Sequence, residues 1–327
     1  MGAGRGVRVP FNYLPQQFAD PAPIMAAIAE VVASGDFTLG AVVTEFEAAF
    51  AAKTGAAHAI GVNSGTDGIK LSLRAVGVGP GDEVITAANT FVATVGAIAE
   101  LGAKPVFVDV DDSLCLDLDA LPAAIGPATK AIVPVHLSGT MADMAALNAL
   151  AARHGVPVVE DACQAFMTLQ DGRMAGTWGA AGIYSMHPLK FLNIWGDGGV
   201  IVTDDAGLAE RLKHLTTTAR VADRWWFDHD DVGFNYRMPN INAALGSAQL
   251  EQLPAFIRRK RDLATRYRAL FGDIAGVEMF AEPAGCDSNF WLNALMFESA
   301  RERDDFLGLT HDSARYKTSG VPLNPTL

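Results

Sequence analysis

Two residues able to do chemistry stand at the ends of apolar runs in this chain. Tyr184-Ser185-Met186-His187-Pro188-Leu189-Lys190 closes one run with a lysine and leads into Gly196-Asp197-Gly198-Gly199. Upstream, Val156-Pro157-Val158-Val159-Glu160-Asp161 ends in an acid. An amine in such a place can form a Schiff base with a carbonyl compound, and a carboxylate can hold a heterocyclic nitrogen protonated. Each also has an ordinary reading, as a surface lysine or a cap carboxylate.

Further groups recur at neighbouring strand ends. Asn63-Ser64-Gly65-Thr66 lies where a strand gives way to a helix, so backbone N–H groups and two hydroxyls face the positive helix end, a suitable phosphate cradle. Ser64 or Thr66 reads equally as a plain N-cap. Phe91, after Ala87-Ala88-Asn89-Thr90, can stack on a flat heterocycle or fill core. Gln164, three residues past Asp161, can hydrogen-bond a phenolic ring oxygen, while Cys163 reads as a small buried residue. Ser185 and Lys190 share one loop, so a hydroxyl can touch phosphate while the amine reaches an aldehyde. His136 and His187 are candidates for ligand contact and equally for structural hydrogen bonds. In order along the chain come a phosphate nest, a stacking aromatic, a pyridinium acid and a Schiff-base lysine, the set that a pyridoxal-phosphate enzyme needs.

The elements that position these groups follow from apolar periodicity. Strands are expected at 58–62, 83–87, 105–108, 131–135, 157–160, 182–185 and 200–203, with helices at 67–75, 92–101, 118–125 and 142–154 between most of them. The last three strands follow one another with little helix, so part of the sheet departs from simple parallel winding. Gly77-Val78-Gly79-Pro80-Gly81-Asp82 follows a helix and precedes a strand, the wrong order for a dinucleotide fingerprint. Long helices are expected at 205–218 and at 241–270, the latter interrupted at Pro254, then a strand at 290–296 and a helix at 300–307. Arg258-Arg259-Lys260-Arg261 reads as a solvated helix face, and Trp225-Trp226-Phe227 as an interface or lid element.

The chain has 327 residues, half of them hydrophobic, enough for a large domain and a smaller one. A formal net charge of −12 disfavours nucleic acid and anionic membranes as partners. Three widely spaced cysteines and scattered histidines imply no metal site and suit a reducing cytosol. The first ten residues lack a signal-peptide core, and no apolar run is long enough to span a bilayer, so a soluble, cytoplasmic protein is expected.

In combination these residues resemble the pyridoxal-phosphate sugar aminotransferases, often called the DegT/DnrJ/EryC1/StrS family, within the fold-type I aminotransferases. The resemblance runs over roughly residues 20–300 and rests on Gly40 with Glu45-Phe46-Glu47, Ser64-Gly65-Thr66-Asp67, Thr90-Phe91-Val92-Ala93-Thr94, Pro134-Val135-His136-Leu137, Glu160-Asp161-Ala162, Ser185-Met186-His187-Pro188-Leu189-Lys190 and Gly233-Phe234-Asn235-Tyr236-Arg237-Met238. It implies an α/β large domain with a mixed, mostly parallel sheet over residues 1–235, and linking helices with a small C-terminal α+β domain over 236–327. It also implies that Lys190 forms the Schiff base with pyridoxal 5′-phosphate, that Asp161 pairs with the pyridine nitrogen and that Gln164 supports the ring oxygen. Gly65, Thr66 and Ser185 would bind the phosphate, Ser64 would join the cofactor site, and Phe91 would stack on the ring. Asn235 would reach the phosphate of the neighbouring subunit, which implies a homodimer with shared active sites. The implied reaction transfers an amino group from glutamate to a nucleotide-linked keto-deoxy-sugar. The family's sugar dehydratases carry histidine where Lys190 stands, which favours transamination.

Two departures accompany the resemblance. Phe191 occupies a position that is commonly asparagine. The family continues for several dozen residues past Leu327, so the small domain looks truncated, and a catalytically impaired homologue that binds the cofactor or only dimerises is the competing expectation. Ser288-Asn289-Phe290-Trp291-Leu292-Asn293-Ala294 resembles the branch acting on precursors of legionaminic-type amino sugars, a match lost around residues 314–327.

Overall fold

A computed structural model describes residues 14–221 and 226–312. The N-terminal segment, Trp225 and residues 314–327 lie outside the described residues. Seven strands carry the architecture: β1 (His58–Val62), β2 (Glu83–Ala87), β3 (Lys104–Val108), β4 (Thr129–Val133), β5 (Val159–Asp161) and, after a hairpin of β6 (Leu169–Gln170) and β7 (Arg173–Met174), β8 (Ala181–Ser185) and β9 (Gly199–Thr203). Strands β3, β2 and β4 pair in parallel, as do β5 and β8, while β9 is antiparallel to both β8 and β1. Bridges Ile132↔Val158 and Val135↔Asp161 join the two groups, giving the order β3-β2-β4-β5-β8-β9-β1. Only β9 is reversed, because no crossover helix separates it from β8. The expectation of a mixed, mostly parallel sheet is met.

Alternation along the strands divides the apolar side chains between two cores. Val84, Ala131, Val133, Val159, Ile183 and Ile201 enter one; Ile85, Ile132, Val158, Tyr184, Val200 and Val202 enter the other. Both faces are therefore covered, which is why these strands read as nearly continuous apolar runs. The first core is closed by helices α4 (Gly65–Ala75), α5 (Val92–Glu100) and α8 (Ala206–Thr216), and the second by α3 (Ala41–Thr54), α7 (Met144–His154) and the first half of α9 (Asn240–Phe271). The short α1 (Leu14–Gln17) leads into α2 (Ala22–Ser34), which lies along α9, and α6 (Leu121–Ala124) packs at β3. Side-chain N-caps start four helices: Ser64 accepts from Asp67 N, Asp143 from Ala146 N, Asp205 from Leu208 N and, before a helix over Ala300–Asp312, Ser299 from Glu302 N.

The sequence reading needs four corrections of extent. Helix α9 runs unbroken through Pro254, because a single proline removes one donor without ending a helix packed against α2 and α3. Its approach to α3 is close: a Cβ on Gly246 would lie 2.7 Å from the Phe46 ring. The helix expected at 118–125 shrinks to α6, since Pro122 is tolerated only in a first turn. The strand expected at 290–296 begins later, as β12 (Leu295–Phe297), antiparallel to β10 (Val277–Met279). Helix α10 (Ala300–Asp312) runs beyond the expected 300–307. A small strand β11 (Cys286–Asp287) pairs with β6 and leads into the irregular segment 288–294.

Candidate active site

The carboxyl ends of β1, β2, β5 and β8 bring most of the predicted residues to one edge of the sheet, where open α/β folds bind ligands. Asp161, the last residue of β5, is only 4% exposed. Its Oδ2 accepts from Thr94 Oγ1 at 2.7 Å and its Oδ1 from Cys163 N at 3.1 Å. Thr94 lies in the first turn of α5 and is linked in turn to Thr90 Oγ1 at 2.9 Å. The carboxylate thus has two neutral donors, and no cation among the described residues lies within ion-pair distance of it. Buried carboxylates are normally matched by a positive partner.

Lys190 sits in the β8–β9 loop, its backbone N–H donating to His187 O at 2.8 Å. Burial holds its amine below the ordinary lysine value, against the opposing fields of Cys163 and Asp161. The same burial, with Asp161 adding to it, pushes the Cys163 thiol well up. Phe191 turns into the core, with its ring 5.9 Å from Lys260 Nζ, and Asn193 braces the loop by donating to Pro188 O at 2.9 Å.

The start of α4 forms a cradle. The Ser64 hydroxyl is engaged at both ends with Asp67, accepting from its N–H at 3.0 Å and donating to its Oδ2 at 2.7 Å. This leaves the backbone N–H groups of Gly65 and Thr66, first-turn donors without intrahelical partners, pointing outward. Ser64 therefore shapes the cradle as its N-cap. A Cβ on Gly65 would lie 2.9 Å from Cys163 Sγ and 3.0 Å from Ser185 Cβ, so only glycine lets α4 approach this closely. The Thr66 side chain is exposed and makes no hydrogen bond among the described residues. Ser185 Oγ accepts weakly from His187 N at 3.3 Å and keeps its own proton free. Gln164 Oε1 accepts from Ser138 N at 2.8 Å, and its amide nitrogen has no partner among the described residues. Phe91, the residue before α5, is 63% exposed, a free aromatic face beside the Thr90–Thr94 pair.

Two histidines and one asparagine fall elsewhere. His136 is fully buried, its Nε2 2.8 Å from Glu160 Oε2, and Glu160 also accepts from the backbone of Gly176, Trp178 and Gly179. This is a structural anchor under β5. His187 is exposed and accepts from Leu189 N at 3.2 Å within its own loop. Asn235 is exposed and lines a separate groove with Leu39, Thr217, Arg220, Phe227 and Arg237, which none of the other candidate residues lines.

The structure adds residues that the sequence reading left without a role. Thr94 was visible as part of Thr90-Phe91-Val92-Ala93-Thr94, and its i, i+4 spacing from Thr90 was the signal. Trp291 was visible only within the quoted segment 288–294, with nothing to tie it to Lys190: its indole face lies 3.7 Å beneath Lys190 Nζ, and its Nε1–H donates to Leu189 O at 3.0 Å. The basic run at 258–261 is only partly a solvated face. Lys260 donates to Trp291 O at 3.0 Å and Arg261 to Ser288 O at 3.0 Å, so two of its cations pin the segment that carries Trp291.

The arrangement suits a phosphorylated pyridine carrying an aldehyde: a glycine-lined amide cradle with free hydroxyls, an acid without a cation in ion-pair range, a free amide donor and a lysine whose proton affinity burial lowers. Comparisons with known proteins agree. A model of the DegT/DnrJ/EryC1/StrS aminotransferase family matches residues 20–315. The chain is 40% identical over 301 residues to the "Pleiotropic regulatory protein" of Geobacillus stearothermophilus, covering 91% of this chain and 80% of that protein. It is also 40% identical over 280 residues to the dTDP-3-amino-3,4,6-trideoxy-alpha-D-glucose transaminase of Micromonospora megalomicea subsp. nigra, covering 85% and 74%. Among solved structures, DesV of S. venezuelae in complex with a ketimine intermediate superposes with a TM-score of 0.90 at 37% identity, over 98% of this chain and 86% of that one.

Proposed function

Because this chain belongs to the DegT/DnrJ/EryC1/StrS aminotransferase family, we propose that it transfers an amino group from glutamate to the keto carbon of a nucleotide-linked deoxy-sugar. The carrier is pyridoxal 5′-phosphate, the cofactor of this family. The observation that carries the reading is Asp161, a buried carboxylate with no cationic partner in ion-pair range, at the same sheet edge as Lys190. A relative at 40% identity named as a nucleotide-sugar transaminase supports the substrate class.

When bound, the cofactor supplies an electron sink conjugated to a carbonyl carbon. The chain's own residues do the rest. Asp161 holds the ring-nitrogen proton, and Thr94 and the Cys163 N–H keep its carboxylate oriented. The Gln164 amide donates to the ring oxygen. Gly65 and Thr66 N–H groups and the Thr66 and Ser185 hydroxyls hold the phosphate, while Phe91 covers one ring face. Lys190 would hold the cofactor covalently through its amine and, as a free amine, would be the base that takes the proton from the donor's α-carbon. Its lowered proton affinity shifts the balance toward the neutral amine that this task needs.

The same reading assigns Asn235 to the phosphate site of a second copy, so that a homodimer completes two shared sites. Its support is the exposure of Asn235 in a groove where Leu39 and Phe227 are exposed apolar residues. We assign residues 1–235 to the cofactor-binding domain and 236–327 to the linking helices and smaller domain. No helix among the described residues is long and apolar enough to cross a membrane. Free Cys115, Cys163 and Cys286 suit a reducing compartment, taken here as the cytoplasm. Incubating the protein with glutamate and a panel of nucleotide-linked keto-sugars, with products read by mass spectrometry, tests the reading. An amino-sugar nucleotide is expected from at least one member, and 2-oxoglutarate formation with none of them would overturn the substrate class.

A further inference from the structure

Lys190 Nζ makes no hydrogen bond and no ion pair among the described residues; it lies over the face of Trp291, 3.7 Å to the centroid. Trp291 is held on three sides. Its ring edge is tied through Nε1–H to Leu189 O, in the loop that carries Lys190. Its backbone N–H donates to Asn289 Oδ1 at 2.8 Å, and Lys260 Nζ donates to its carbonyl at 3.0 Å. Asn289, fully buried, donates through Nδ2 to Gln164 O and Phe166 O, both at 2.9 Å. Segment 288–292 therefore keeps a fixed position relative to the loop bearing Asp161 and Gln164.

We propose that the indole face of Trp291 is the docking place for the Lys190 amine whenever that amine is not bonded to the cofactor, which makes Trp291 a positioning residue for proton transfer. The inference rests on the role given to Lys190 above. During transamination the freed amine must take a proton and then deliver it a short distance away. Burial disfavours its charged form, whereas the negative face of an indole favours it. A cation–π contact has no directional hydrogen bond to break, so the amine can return to the cofactor without losing a specific partner. The other titratable groups facing Lys190 are Asp161 and Cys163 from the end of β5, with His187 in its own loop and Lys260 reaching the Trp291 carbonyl from α9.

The test uses the full-length protein carrying pyridoxamine 5′-phosphate, the state in which Lys190 is a free amine. Trace acetylation across a pH series, with the Lys190 peptide quantified by mass spectrometry, gives the titration midpoint of that amine. Trp291→Leu should lower the midpoint by about 0.5–1 pH unit, while Trp291→Phe, which keeps an aromatic face, should retain most of the wild-type value. Uniform 5-fluorotryptophan, which weakens the face without changing its shape, should lower the midpoint by less than the leucine variant, and it decides alone if that variant does not fold. An unchanged midpoint in the leucine variant, or in the fluorinated protein should that variant not fold, overturns the proposal. Bleaching of the visible band by glutamate in wild-type protein is read separately, so failure of the transaminase reading is distinguishable from failure of this one.

Discussion

Asp161 concentrates the residue-scale argument, because its two hydrogen bonds orient a buried carboxylate that has no cation in ion-pair range among the described residues. Asp161→Asn preserves shape and removes the charge. Cofactor should still bind, while the glutamate half-reaction slows by about 10²–10³-fold in stopped-flow absorbance, the range for losing one preorganised electrostatic contact. Thr94→Val should slow the same step by about tenfold through loss of one charge-assisted hydrogen bond, and Thr94→Ser should restore it. Lys190 sets the pH dependence. Its amine is held below the ordinary lysine value, and only the neutral form accepts the α-proton. The half-reaction rate should therefore rise with pH through a midpoint below that of an ordinary lysine, and a rate falling over that interval would contradict the assignment.

At the scale of elements, most of the candidate residues sit at or just past strand ends, and that placement was legible. Residues 58–62 and 83–87 coincide with β1 and β2 because their apolar alternation is bounded by turn residues, and the chemistry-bearing residues follow directly. The cover over Lys190 was not legible. Trp291 lies 102 residues from the Leu189 carbonyl that holds it, and segment 288–294 has no periodicity; its hydrogen bonds, side-chain ones and the backbone bond from Leu292 N to Ser138 O, form only on folding. Its seat depends on Gly139, whose φ of +97° favours glycine and where a Cβ would fall 1.9 Å from Asn289 Oδ1. Gly139→Ala should cost about 2 kcal/mol or more and lower the melting temperature by several degrees. Gly96→Ala, in α5 with open space around it, should instead stabilise by about 0.5–1 kcal/mol. Equal effects of the two in thermal melts would refute this account of the strap.

For the whole molecule, the Asn235 groove is the feature that a single chain does not connect to the site. The motif around Asn235 pointed to a second subunit, and the structure shows an exposed asparagine apart from the other candidates. If two copies share sites, mixing inactive Lys190→Ala with inactive Asn235→Ala should restore roughly a quarter of wild-type activity after subunit exchange, since half the dimers are mixed and each carries one intact site. No recovery despite verified exchange would separate Asn235 from catalysis.

The central claim is that Lys190 is the residue bonded to the cofactor. Borohydride should bleach the visible absorbance of the loaded protein and leave a single stable adduct, and peptide mapping by mass spectrometry should place that adduct on Lys190. An adduct on any other lysine, or none at all, would contradict the account.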